Sequence, residues 1–189
     1  MNTPYYKNTP LAIGEFYHFF NRANSQNDKL FYQERNYAYF LKLWTMYMER
    51  HFEVWSYCLI PNHFHFLVRV IEPDAMESWR RLAISYTQAI NKQEDRRGSL
   101  FQEHPKHLLV RSDAHLMALI RYIHNNPVHH GLSSQIDTWR YSSYLAFFSS
   151  ASSRVMRAEV MALFGNITAF KNFHYQNNQQ DIGYCLVDV

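Results

Sequence analysis

Two imidazoles set two residues apart, His63 and His65, sit at the start of the apolar, β-prone run Pro61-Asn62-His63-Phe64-His65-Phe66-Leu67-Val68. In a strand, side chains at i and i+2 project from the same face. The pair therefore points one way and can share one metal ion or one phosphate. Downstream, Arg121-Tyr122-Ile123-His124-Asn125-Asn126-Pro127-Val128 closes a segment of helical periodicity, with Leu116, Leu119, Ile120 and Ile123 as its apolar stripe. At about 100° per residue, Tyr122 falls on the flank of that stripe and Asn126 one turn further along the same flank. A phenol and an amide are thus offered together at the edge of a core. Taken singly, the histidines also suit the solvent face of a half-buried strand, and the tyrosine suits a helix edge with its hydroxyl in water.

Together the groups suit phosphodiester chemistry. A phenol is a weak nucleophile at neutral pH because its pKa is near 10, and a phosphodiester is anionic, so charge must be neutralised. A divalent metal held by His63 and His65, with the Asn126 amide oxygen as third ligand, would polarise phosphorus. Two imidazoles favour Mn²⁺ and later metals over Mg²⁺, which prefers oxygen. Tyr122 could then attack and form a covalent phosphotyrosine that conserves the bond for a later transfer.

Such groups need a scaffold to hold them, and the periodicity indicates one. Glu15 to Arg22 reads as an aromatic-rich strand, Arg35 to Arg50 as a helix and Glu53 to Ile60 as a second strand. Pro61-Asn62 makes a tight turn into the histidine strand, giving an antiparallel hairpin. Asp74, with Glu77 three residues on, caps a helix running to about Lys92. Lys92 to Gly98 reads as a loop and His107 to Arg111 as a short strand. The tyrosine helix starts at a Ser112 or Asp113 cap and stops at Pro127. This order predicts an α+β fold, a ferredoxin-like sandwich with a central antiparallel sheet and helices on one face.

The ordered set of motifs resembles one family. A Pro-Asn-His-x-His strand start followed by Tyr-Ile-His-x-Asn-Pro-Val on a helix is similar to the HUH single-tyrosine transposases of the insertion-sequence-200-like type, and among them to the REP-associated tyrosine transposase branch. Asn21-Arg22, Lys29-Leu30-Phe31, Asn36-Tyr37-Ala38-Tyr39-Phe40-Leu41, Gly98-Ser99-Leu100-Phe101-Gln102 and Trp139-Arg140-Tyr141-Ser142-Ser143-Tyr144 agree with it, so the likeness runs from Phe16 to Tyr144. The resemblance implies a DNA transposase or nickase in which Tyr122 attacks single-stranded DNA, stays joined to the 5′ phosphate and leaves a 3′ hydroxyl. It implies Mg²⁺ or Mn²⁺ on His63 and His65, with Asn126, four residues after the tyrosine, contributing to the metal site. It implies hairpin repeat elements as substrate. In such proteins the tyrosine helix serves either its own histidines or a partner's, which leaves a homodimer open. Asn125 stands where relatives usually carry an apolar residue.

Composition sets bounds. The 189 residues are 47% hydrophobic, enough for one good core. The expected organisation is a catalytic domain over residues 1–148 and an extension over 149–189. That extension comprises the connector Ser149-Ser150-Ala151-Ser152-Ser153, a short helix from Arg154 to Phe164, docking aromatics Phe170, Phe173 and Tyr175, and a polar tail at Asn177 to Gln180. Cys58 and Cys185 form no disulfide framework and no ligand spacing. No apolar run approaches a membrane span and no signal pattern opens the chain, so a soluble cytoplasmic protein, nucleoid-associated in a bacterium, is expected.

A net charge of +3 is only mildly basic. From Met76 to Arg111, however, seven basic side chains face four acidic ones, which makes Arg80, Arg81, Arg96, Arg97, Lys106 and Arg111 candidates for DNA phosphates. Solvated helix faces produce the same pattern. His124, His129 and His130 read as surface residues, and Asn62 as a turn residue. Two other functional classes compete with strand transfer. One is a hairpin nucleic-acid-binding module without catalysis; the other is a metal-dependent phosphoesterase that uses water. Tyr122→Phe separates transferase from phosphoesterase, because only a tyrosine nucleophile leaves a protein-linked product.

Overall fold

The computed structural model describes residues 10–25 and 28–176. Its elements follow the order β1 (Phe16–Arg22), α1 (Glu34–Met48), β2 (Phe52–Ile60), β3 (His63–Val70), α2 (Ala75–Gln93), β4 (Lys106–Val110), α3 (Asp113–His129), a 3-10 turn (Tyr144–Phe148), α4 (Arg157–Phe164) and α5 (Ile167–Tyr175). The four strands form one antiparallel sheet in the order β2-β3-β1-β4. With its crossover helices α1 and α2, this is the expected ferredoxin-like α+β sandwich.

Alternation along the strands gives the sheet two faces with separate cores. Phe19, Phe64, Phe66 and Val68 face α1 and α2 and meet Phe40, Trp44, Trp79, Leu82 and Tyr86. Cys58, Ile60, Leu67 and Val110 face the other way and meet Leu116, Leu119, Ile120 and Ile123 of α3. Helices on one face therefore describes α1 and α2 only. Burying each aliphatic side chain of the α3 stripe contributes about 2 kcal/mol, and this docking sets α3 against the face that carries His63 and His65.

Local details explain where elements begin and end. The Ser112 side chain accepts from the His115 backbone N–H at 3.2 Å and caps α3. Asp74 occupies the N-cap position of α2 but has φ 64° and makes no side-chain cap bond; Glu77, the expected capping partner, instead binds Arg80 and Arg81. Pro127 lies inside the last turn of α3, not at its end. Lacking an N–H, Pro127 leaves the Ile123 carbonyl without its intrahelical donor.

Among the described residues, the segment from Ser149 to Gln176 packs onto the chain before it. Val155, Val160, Phe164 and Phe170 belong to the same core as the α3 stripe. Chain following α3 also covers the outer edge of β2: Leu59 N–H donates to Tyr141 O at 3.0 Å, Ser143 N–H to Tyr57 O at 2.9 Å and Met156 N–H to Val54 O at 2.9 Å. An exposed strand edge is thereby closed. The polar tail from Asn177 onward lies outside the described residues.

Candidate active site

β3 places His63 and His65 on the α3 face, paired with Arg22 and Phe20 of β1 and with Ile60 and Cys58 of β2. Their rings are 4.9 Å apart. Tyr122, on the flank of α3, meets His65 edge-to-face at 5.6 Å between ring centroids, within the same chain. One turn later, Asn126 is fully buried beside His63. The structure thus brings together all four groups singled out at the start.

Both imidazoles are hydrogen-bonded at Nδ1. His63 Nδ1 lies 2.9 Å from Asn62 Oδ1. An amide oxygen can only accept, so the proton sits on Nδ1 and the lone pair on Nε2. The Nδ1 of His65 lies 2.8 Å from the Nε2 of His18 on β1, an N–H···N bond that either ring can donate. His63 Nε2 and both side-chain atoms of Asn126 are buried without a hydrogen bond of good geometry, although Asn126 stands close enough to favour protonation of His63.

Burial dominates the electrostatics. It drives His63 down to about 3, helped by the charges of His130 and Arg22. His65 lies well below the ordinary histidine value for the same leading reason, and burial takes His18 to about 3. These rings are neutral at pH 7, the form in which imidazole ligates a metal. A recess of about 50 Å³, lined by Arg22, Asn62, His63, His65, Lys106 and His130, opens here. It has room for an ion and about one water. Among the described residues, no three His, Cys, Asp or Glu side chains are arranged to hold a metal ion; a cation would rest on two imidazoles and the Asn126 amide. The orphaned His63 Nε2 and Asn126 atoms fit that role.

The other basic candidates are dispersed. Lys106 lines the recess. Arg80 and Arg81 pair with Glu77 on the exposed side of α2, the helix on the opposite face of the sheet. Arg96 is held by Asp28 at 3.1 Å and by Asn91 at 2.8 Å. Arg97 and Arg111 are exposed and do not line the recess. A groove of about 1330 Å³ between α2 and the segment before β4 shares Gln102 and Lys106 with the recess, and Arg80 is among its walls.

Sequence reasoning gave no site role to His18 and Arg22, which reach the site through strand register, and read His130 as a surface residue; it is exposed and also lines the recess from the end of α3. The same reading misplaced His124, which is fully buried. His124 Nδ1 lies 2.8 Å from His174 Nε2 of α5, and its Nε2 lies 2.8 Å from Ser143 Oγ. His174 Nδ1 in turn meets Phe170 O at 2.8 Å. Arg121 caps the end of α5 through the carbonyls of Phe173 and Gln176, at 3.2 and 3.4 Å. The residues flanking Tyr122 thus bolt its helix to the C-terminal helices. Asn125 donates to Arg121 O at 3.0 Å, within α3.

No protein-family model matches the chain. A provisionally named REP-associated tyrosine transposase of Haemophilus influenzae is 30% identical over 104 residues, 49% of this chain and 59% of that protein. The chain thus spans less than two thirds of that relative. A solved REP-associated tyrosine transposase bound to a REP hairpin superposes with a TM-score of 0.63 at 18% identity, covering 81% of this chain and 94% of the other. The structural likeness to the hairpin-bound transposase carries the fold: a four-stranded antiparallel sheet with helices. The group that the motifs resemble is the one for which both relatives are named. No helix among the described residues is long and apolar enough to cross a membrane.

Proposed function

We propose that this protein is a transposase that cleaves and rejoins single-stranded DNA at hairpin elements through a 5′-phosphotyrosine on Tyr122. The supporting observation is the approach of Tyr122 to His65, 5.6 Å between rings, on a sheet face where His63 and Asn126 also converge. The substrate class is suggested by the hairpin bound to the structural relative.

In this reading the scissile phosphate enters the recess, where Arg22 and Lys106 place positive charge beside it. His63 and His65 through Nε2, with the Asn126 amide, would hold Mn²⁺ or Mg²⁺, which when bound supplies further charge to a non-bridging oxygen. The Tyr122 hydroxyl attacks phosphorus and the bond to the 3′ oxygen breaks. The phenolic proton leaves, the 3′ oxygen gains one, and the 5′ phosphate remains esterified to Tyr122. Attack by a 3′ hydroxyl reverses these changes and rejoins the strand.

The test is a denaturing gel of labelled hairpin oligonucleotides incubated with Mn²⁺ or Mg²⁺. A protein-linked band is expected from the unmodified protein and none from Tyr122→Phe or His63→Ala. Cleavage that survives Tyr122→Phe would instead identify water as the nucleophile.

A further inference from the structure

We propose that His18 is a positioning residue of this site: its Nε2 accepts the Nδ1 proton of His65 and so keeps the Nε2 lone pair of His65 for a cation. The inference rests on the metal-site reading given above. His18 and His65 are diagonal neighbours on adjacent strands, since Phe20 pairs with His65 and His18 with Leu67, and such neighbours lie within reach of ring side chains. Their nitrogens are 2.8 Å apart and both residues are buried.

His18 has little freedom to do otherwise. Its ring stacks on Phe20 at 4.6 Å and on His65 at 5.0 Å, and Tyr122 meets it edge-to-face at 6.2 Å. It is therefore clamped between the proposed nucleophile and a proposed ligand. Two neutral imidazoles can share one N–H···N bond in either of two directions. If His18 donates, His65 carries its proton on Nε2 and its remaining lone pair is consumed at Nδ1. If His65 donates, Nε2 is a ligand. His63 has no such choice, because the Asn62 oxygen can only accept. The tautomer of His18 thus decides whether the second imidazole can bind, a role metal-site histidines usually give to a carboxylate or carbonyl.

The direct test is nitrogen-15 NMR of histidine-labelled protein with and without Mg²⁺, alongside Mn²⁺ affinity by electron paramagnetic resonance. His65 protonated on Nδ1 in the Mg²⁺-loaded protein is expected. His18→Phe, which keeps a ring but loses the acceptor, should weaken Mn²⁺ binding about 10- to 100-fold, and His18→Gln, which restores an acceptor, should recover part of the loss. His65 protonated on Nε2 in the loaded protein would overturn the proposal even if His18→Phe fails to fold. Wild-type Mn²⁺ affinity in folded His18→Phe, with His63→Ala deficient, would overturn the role of His18 alone. Mn²⁺ affinity indifferent to His63→Ala would remove the metal site and this proposal together.

Discussion

Lowering the pH from 7.5 to 5 in the presence of a chelator should strip this protein of several kcal/mol of stability through its buried histidines. His18, His63, His65, His124 and His174 are all buried, and burial is the leading cause of the low pKa in each. His18 and His63 fall to about 3 and His174 to about 4, from an ordinary 6.5. The unfolded chain therefore takes up protons below pH 6.5 that the folded chain refuses. Stability is intact above pH 6.5 and is lost as the pH falls from there toward 4. Each such group costs about 1.4 kcal/mol per pH unit, or about 2 kcal/mol at pH 5. The hydrogen-bonded pairs His18 with His65 and His124 with His174 titrate together, so about three independent groups is a cautious count. The loss is then about 6 kcal/mol, against a total of about 5–15 kcal/mol for a typical domain. Urea melts followed by circular dichroism at pH 7.5, 6.5, 5.5 and 5 would show the midpoint falling steeply below 6.5. A midpoint unchanged between pH 7.5 and 5.5 would refute the reasoning.

Asn126→Leu removes two buried polar atoms that lack hydrogen bonds, so it should leave the cation-free protein as stable or about 1 kcal/mol more stable while weakening Mn²⁺ binding, measurable by melting and titration. Phe170→Ala, beneath Tyr144, Phe147, Phe164 and His174, should cost about 3–5 kcal/mol in a urea melt, since α5 shares the core of the tyrosine helix. Arg22→Ala and Lys106→Ala, both at the recess, should weaken hairpin binding and each reduce the salt slope by about one. Arg81→Ala, whose side chain is paired with Glu77 on the far helix, should change neither in a filter-binding series.

What the chain reveals before folding depends on how local each relationship is. His63 and His65 share a face because strand periodicity is two, and Tyr122 and Asn126 share a flank because helical periodicity is 3.6. Both follow from counting residues. His18 and Arg22 join them only through the register of β1 on β3, which no spacing reveals. His124 read as a surface residue because its partners, Ser143 and His174, arrive from chain beyond α3. The placement of the basic residues after Met76 is equally non-local: Lys106 lines the recess, α2 presents Arg80 and Arg81 on the opposite side of the sheet, and Asp28 and Asn91 hold Arg96.

The most direct test of the proposed chemistry is peptide mass spectrometry of the protein after reaction with a hairpin oligonucleotide and Mn²⁺, followed by nuclease digestion. A nucleotide mass on the peptide containing Tyr122, attached through the 5′ phosphate, is the predicted result. Cleaved DNA with an unmodified Tyr122 peptide, or a nucleotide carried on another tyrosine, would contradict it.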